Sequence, residues 1–117
     1  MPKQKKEFNL KIHGRTWRVA FENPEDNAAL RSGDNYGTTD RSRFRITISD
    51  KECPQQQAVT FFHEFTHAVK TIAYYNQPTN EGVAEEVDCD LMGFAIVEFL
   101  EQKKEMPPWF KKIVGLA

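Results

Sequence analysis

The stretch RFRITISDKECPQQQAVTFFHEFTH, residues 43–67, decides how this chain folds. From Arg43 to Ser49 it alternates: Phe44, Ile46 and Ile48 face one way and Arg43, Arg45 and Thr47 the other, the period of a strand with one apolar face. Pro54 then suits the first turn of a helix, where a missing N–H costs nothing. No further Pro or Gly follows until Pro78, so one helix is predicted from Pro54 to about Tyr74. A strand feeding a long helix points to a sheet with one face packed on helices.

On the N-terminal side, Phe8, Leu10 and Ile12 share one face, and Trp17, Val19 and Phe21 do the same after His13-Gly14. This pattern reads as a β-hairpin. Residues 1–7, with Lys3, Lys5 and Lys6, are expected to be a disordered tail. Asn23-Pro24 offers a cap and first turn for a short helix through Leu30 and Arg31, which Ser32-Gly33 would stop. Asp34 to Asp40, rich in Gly, Thr and Asp, is predicted as loop or irregular strand. On the C-terminal side, Asn76 to Thr79 breaks the chain, and Thr79 or Asn80 caps a second helix running to about Gln102. Pro107-Pro108 ends it, and Trp109, Phe110, Ile113, Val114 and Leu116 form a short amphipathic tail expected to pack on the domain. The expectation is therefore an α+β fold: a small antiparallel sheet of three to four strands packed on two main helices, with short flanking helices.

Length and composition restrict what such a fold can do. With 117 residues, 39% of them hydrophobic, the chain has the length of one domain with one core. A formal charge of -1 gives no basic surface for nucleic acid. No run of about 18 apolar residues exists to span a bilayer, and the N-terminus lacks an apolar signal core, so a cytoplasmic protein is expected. Cys53 and Cys89 stand alone, without a C-x-x-C spacing, and are expected to be free thiols.

The chemistry lies in His63-Glu64-Phe65-Thr66-His67. Two histidines four apart on a helix project from one face, close enough for both imidazoles to reach one metal ion at roughly 2.0–2.1 Å. Glu64 is turned about 100° around the axis, so its carboxylate lies beside the metal. A zinc-bound water has its pKa lowered toward about 7, and an adjacent carboxylate can take its proton as it attacks a carbonyl. Chance produces this histidine spacing in roughly 5% of shuffled sequences of this composition, and in about 0.5% when a Glu must follow the first His, which makes a coincidence a poor explanation. Glu81, Glu85 and Asp88, at i, i+4 and i+7, place three carboxylates on one face of the second helix, while Glu86, Asp90, Glu98 and Glu101 would form its solvent stripe. Carboxylates on an inward face need a cation or hydrogen-bond donors. A helix N-terminus that favours acids accounts for Glu81 nearly as well.

The His-Glu-x-x-His run followed by Asn80-Glu81-Gly82-Val83-Ala84-Glu85 resembles the gluzincin metallopeptidases, above all their short phage and bacterial forms. The resemblance covers roughly Thr38 to Leu100. It implies a zincin-like domain spanning residues 1–117 that binds Zn2+ through His63, His67 and Glu81. Glu64 would then be the general base, and Glu85 an orienting residue or the alternative third ligand. Only 13 residues separate His67 from Glu81, fewer than in the larger gluzincins. If the two helices run long and antiparallel, Glu85 lies nearer the metal.

The implied activity is hydrolysis of a peptide bond in a specific protein or peptide substrate. A zinc-stabilised binding or structural module, and a hydrolase of a non-peptide bond, are the alternatives. Peptide hydrolysis also needs a donor aimed at the developing oxyanion. This chain has no histidine after His67, so the candidates are Tyr36, Tyr74, Tyr75, His13 and Arg45. In the family, the strand before the active helix borders the cleft. Here that strand is Arg43 to Ser49, whose Arg43, Arg45 and Thr47 would line a groove favouring acidic side chains.

Overall fold

The computed structural model describes residues 6–32, 36–71 and 81–117, with residues 31–32 and 81–85 described by their backbone only. Four strands form one sheet: β1 (Lys6–Ile12), β2 (Arg15–Glu22), β3 (Gly37–Asp40) and β4 (Arg45–Ser49), in the order β1-β2-β4-β3. The helices are α1 (Ala28–Ser32), α2 (Pro54–Val69), α3 (Glu81–Glu101) and α4 (Pro108–Val114). The fold is α+β, as the alternation and the two helical runs predict.

The β1–β2 hairpin forms around His13 and Gly14, both at positive φ (53° and 74°), the turn conformation whose twist matches the flanking strands. Lys6 and Glu7 pair with Phe21 and Ala20, so β1 begins inside the segment expected to be a tail. Residues 1–5 of that tail lie outside the described residues.

The sheet is mixed rather than antiparallel as expected, because its central pair is parallel. β2 meets β4 with Val19 opposite Ile46 and Phe21 opposite Ile48, whereas both outer pairs are antiparallel. The physical reason is the crossover between them. Asn23 accepts a bond from the Glu25 amide and starts a 3-10 turn at Pro24–Asp26. Asn27 then caps a separate α1 by accepting from the Ala29 and Leu30 amides. The two caps split the predicted helix and keep the chain at the Glu22 end of the sheet; β3 then runs back antiparallel, so that β4 runs in the same direction as β2.

β3 lies in the segment expected as loop or irregular strand, yet it pairs in register with β4, with Gly37 opposite Ile48 and Thr39 opposite Ile46. β4 therefore has a partner on each side. Arg45, Thr47 and Ser49 face away from α2; Thr47 and Ser49 are buried, and Arg45 is bound to Glu22 at 2.6 Å. Arg43, Arg45 and Thr47 do not share one groove beside α2: Arg45 and Thr47 lie on an internal strand and turn to the opposite face, and Arg43 lies in the turn before it, exposed beside Asp40.

The core lies between the sheet and α2, α3 and α4. Trp17, Val19, Ile46, Ile48, Phe61, Val69 and Phe110 are each at most 2% exposed. Phe110 packs on Phe61 with ring centroids 4.9 Å apart, so the C-terminal tail docks on its own domain as expected. Phe99 of α3 meets Phe61 and Phe65 of α2, and Asp88 lies 3.8 Å from Lys70, just past the end of α2. Those contacts set α2 and α3 antiparallel. Glu98, expected on the solvent stripe, is half-buried and accepts from the backbone amides of His13 and Gly14. One turn on, Gln102 pairs with both backbone groups of Lys11, at 2.7 and 2.8 Å, and blunts the outer edge of β1.

Candidate metal centre

The sequence of α2 divides its surface into faces by the helical period. Phe61, Phe65, Ala68 and Val69 go into the core, and Thr60 and Glu64 turn toward β3 and are also buried. His63 and His67 remain exposed. Pro54 at the first turn and Cys53 as N-cap begin the helix, and Lys70 closes its described end by bonding back to Thr66 and Ala68.

The two imidazoles converge. Their rings lie at 82° with centroids 4.9 Å apart, and Nε2 of His63 stands 3.3 Å from Nε2 of His67. Two nitrogens that each bind a tetrahedral zinc at about 2.05 Å are separated by about 3.3–3.4 Å. The pair therefore already has the spacing that one ion would require. Oε2 of Glu64 lies 3.9 Å from Nε2 of His63, and the ligand atoms of all three residues fall within 4.8 Å of one another.

Glu64 is seated by the edge strand. It is only 7% exposed, and its Oε1 accepts from the Thr39 hydroxyl at 2.7 Å. The same Thr39 oxygen lies 3.1 Å from the Glu64 carbonyl oxygen. Gly37 makes the approach possible: a Cβ there would sit 2.8 Å from Cγ2 of Thr60 and 3.1 Å from Cγ of Glu64. Helix and strand can meet this closely only where the strand has no side chain. Neither Gly37 nor Thr39 was singled out from the sequence. A Gly-Thr-Thr run gives no signal until its strand is placed against α2.

The remaining candidates fare differently. The side chains of Glu81 and Glu85 lie outside the described residues; their backbones form the start of α3. Asp88, third on that acidic face, is half-buried and paired with Lys70 rather than with the histidines. Tyr74 and Tyr75 also lie outside the described residues. Tyr36 is half exposed, and its carbonyl accepts from the Ser49 amide at the start of β3. Arg45 is engaged by Glu22 on the opposite face of the sheet, and the His13 backbone is held by Glu98 at the hairpin turn. Cys53 and Cys89 are both free and exposed, as expected.

No protein family, curated protein or solved structure matches the chain. Among the described residues no helix is long and apolar enough to cross a membrane.

Proposed function

We propose that this protein is a zinc-dependent metallopeptidase of gluzincin type, acting on a protein or peptide in the cytoplasm. The single observation that carries this reading is the 3.3 Å separation of the His63 and His67 Nε2 atoms beside a buried Glu64 carboxylate. His63 and His67 would hold the ion, with a carboxylate from the start of α3 completing the set. Glu81 is the carboxylate that the resemblance implies, with Glu85, one turn further along α3, as the alternative. Bound zinc supplies a polarised water and a Lewis acid for the carbonyl. Glu64, held through Oε1 by Thr39, keeps Oε2 toward the histidines, where it can take the proton of an attacking water. An extended substrate would lie along β3, the outer strand next to the site.

A second reading, zinc as a structural clip between α2 and α3, draws support from one observation. Of the oxyanion candidates, Arg45 is paired with Glu22 on the opposite face of the sheet, and His13 stands at the β1–β2 turn, where its backbone amide is held by Glu98. One experiment separates the two. The purified protein is expected to carry about one zinc per chain, and Glu64→Gln to retain the metal while losing all cleavage in a proteome-wide cleavage assay. Cleavage that persists in Glu64→Gln would overturn the assigned base. Absence of zinc from protein prepared without chelator would overturn the whole reading.

A further inference from the structure

Helix α3 has a second apolar face that none of the described residues covers. Leu91, Met92, Ala95 and Phe99 are turned inward, yet Phe94 is 73% exposed, Val97 56%, Leu100 50% and Ile96 46%. A helix that is apolar on all sides belongs in an interior. Gly93 lies among these exposed residues, in the middle of a 21-residue helix, and a Cβ at that position would meet nothing within 4 Å. Glycine weakens a helix interior, and nothing among the described residues requires it there. A second backbone approaching that surface would.

The polar residues around the face identify the occupant. Glu86 and Asp90 are exposed on the N-terminal half of α3, and Lys103 and Lys104 are exposed just past its C-terminal end. We propose that α3 packs antiparallel on α3 of a second copy of this chain, about a two-fold axis near residue 95. In that register Val97 of one copy lies over Gly93 of the other. Phe94 meets Phe94 on one flank and Ile96 meets Ile96 on the other. Glu86 stands opposite Lys104 of the second copy. Such a contact is self-complementary, as a two-fold interface must be.

Its size is adequate. The four exposed side chains offer on the order of 400 Å² of apolar surface, and a stable dimer buries roughly 800 Å² per partner, core and polar rim together. The groove of about 500 Å³ beside Ile96 and Leu100, also lined by Phe62, Met92 and Leu116, continues the apolar surface toward α2. It gives the second copy further area to cover.

The test is the mass in solution of the full chain by light scattering, with variants chosen on exposed positions. The wild type is expected at twice the 13.6 kDa chain mass at tens of micromolar. Val97→Glu is expected to be monomeric with an unchanged helical circular dichroism spectrum and melting temperature. Glu86→Lys and Lys104→Glu are each expected to weaken association at least tenfold, and the double variant to recover most of it. A wild type that stays monomeric at several hundred micromolar would overturn the proposal. So would a Val97→Glu variant that still dimerises. Failure of the double variant to recover would overturn the antiparallel register.

Discussion

Thr39 donates its hydroxyl to Oε1 of Glu64 at 2.7 Å, so a four-residue edge strand holds the one carboxylate that α2 buries. The bond joins two elements 25 residues apart in sequence and gives the candidate metal centre a fixed wall on the sheet side.

Replacing Thr39 by Val keeps the shape and removes the donor. A buried acceptor left without its partner costs about 1–3 kcal/mol, and that is the expected loss in urea unfolding. Thr39→Ser should restore most of it. Zinc stoichiometry should not change in either variant, because the imidazoles do not touch Thr39. Equal stability of Val and Thr at this position would mean that the bond contributes nothing.

Gly37→Ala puts a methyl group 2.8 Å from Cγ2 of Thr60 and 3.1 Å from Cγ of Glu64. Forcing a carbon into a packed contact of this kind costs about 1–3 kcal/mol. Thr60→Ser removes the nearer carbon, so the double variant should be more stable than Gly37→Ala alone. If the two changes simply add in a double-mutant cycle, the close approach is not the cause.

Metal should stabilise the fold as well as serve the site. With free zinc at about 100 times its dissociation constant, the folded state gains about 2.7 kcal/mol. Chelation should therefore lower the melting temperature of the wild type, and leave His63→Ala and His67→Ala unaffected because they have no metal to lose. A wild type whose melting is indifferent to both zinc and chelator would contradict the ligand pair.

Asp40 ends β3 and organises the turn that leads into β4. Its carboxylate accepts from the Ser42 hydroxyl at 2.7 Å and from the amides of Ser42 and Arg43, and these bonds hold its pKa below the ordinary 3.8. A carboxyl whose folded value is depressed adds stability that is full above the unfolded value and is lost as pH falls through the folded one. The stability gap between wild type and Asp40→Asn should therefore be constant above about pH 5 and shrink below about pH 4. A gap that does not change down to about pH 2 would show that the charge of Asp40 plays no part.

Much of the fold was legible because its signals are local. Alternation around His13-Gly14 marked the hairpin, and Pro54 with the uninterrupted run after it marked α2. β3 was legible only as loop or irregular strand, since Gly37 and Thr39 have meaning only beside Thr60 and Glu64. Glu98 read as a solvent-facing acid because nothing in its neighbourhood announces that a hairpin turn 84 residues earlier will bring two amides to it.

The candidate site divides along the same line. His63 and His67 are one helical turn apart, so the sequence by itself determined that their nitrogens can share an ion, whatever surrounds them. The seat of Glu64, the parallel placement of β4 inside the sheet and the antiparallel course of α3 were decided only by the tertiary structure. Each depends on where a crossover or a close approach brings distant residues, and no short-range period in the chain encodes that.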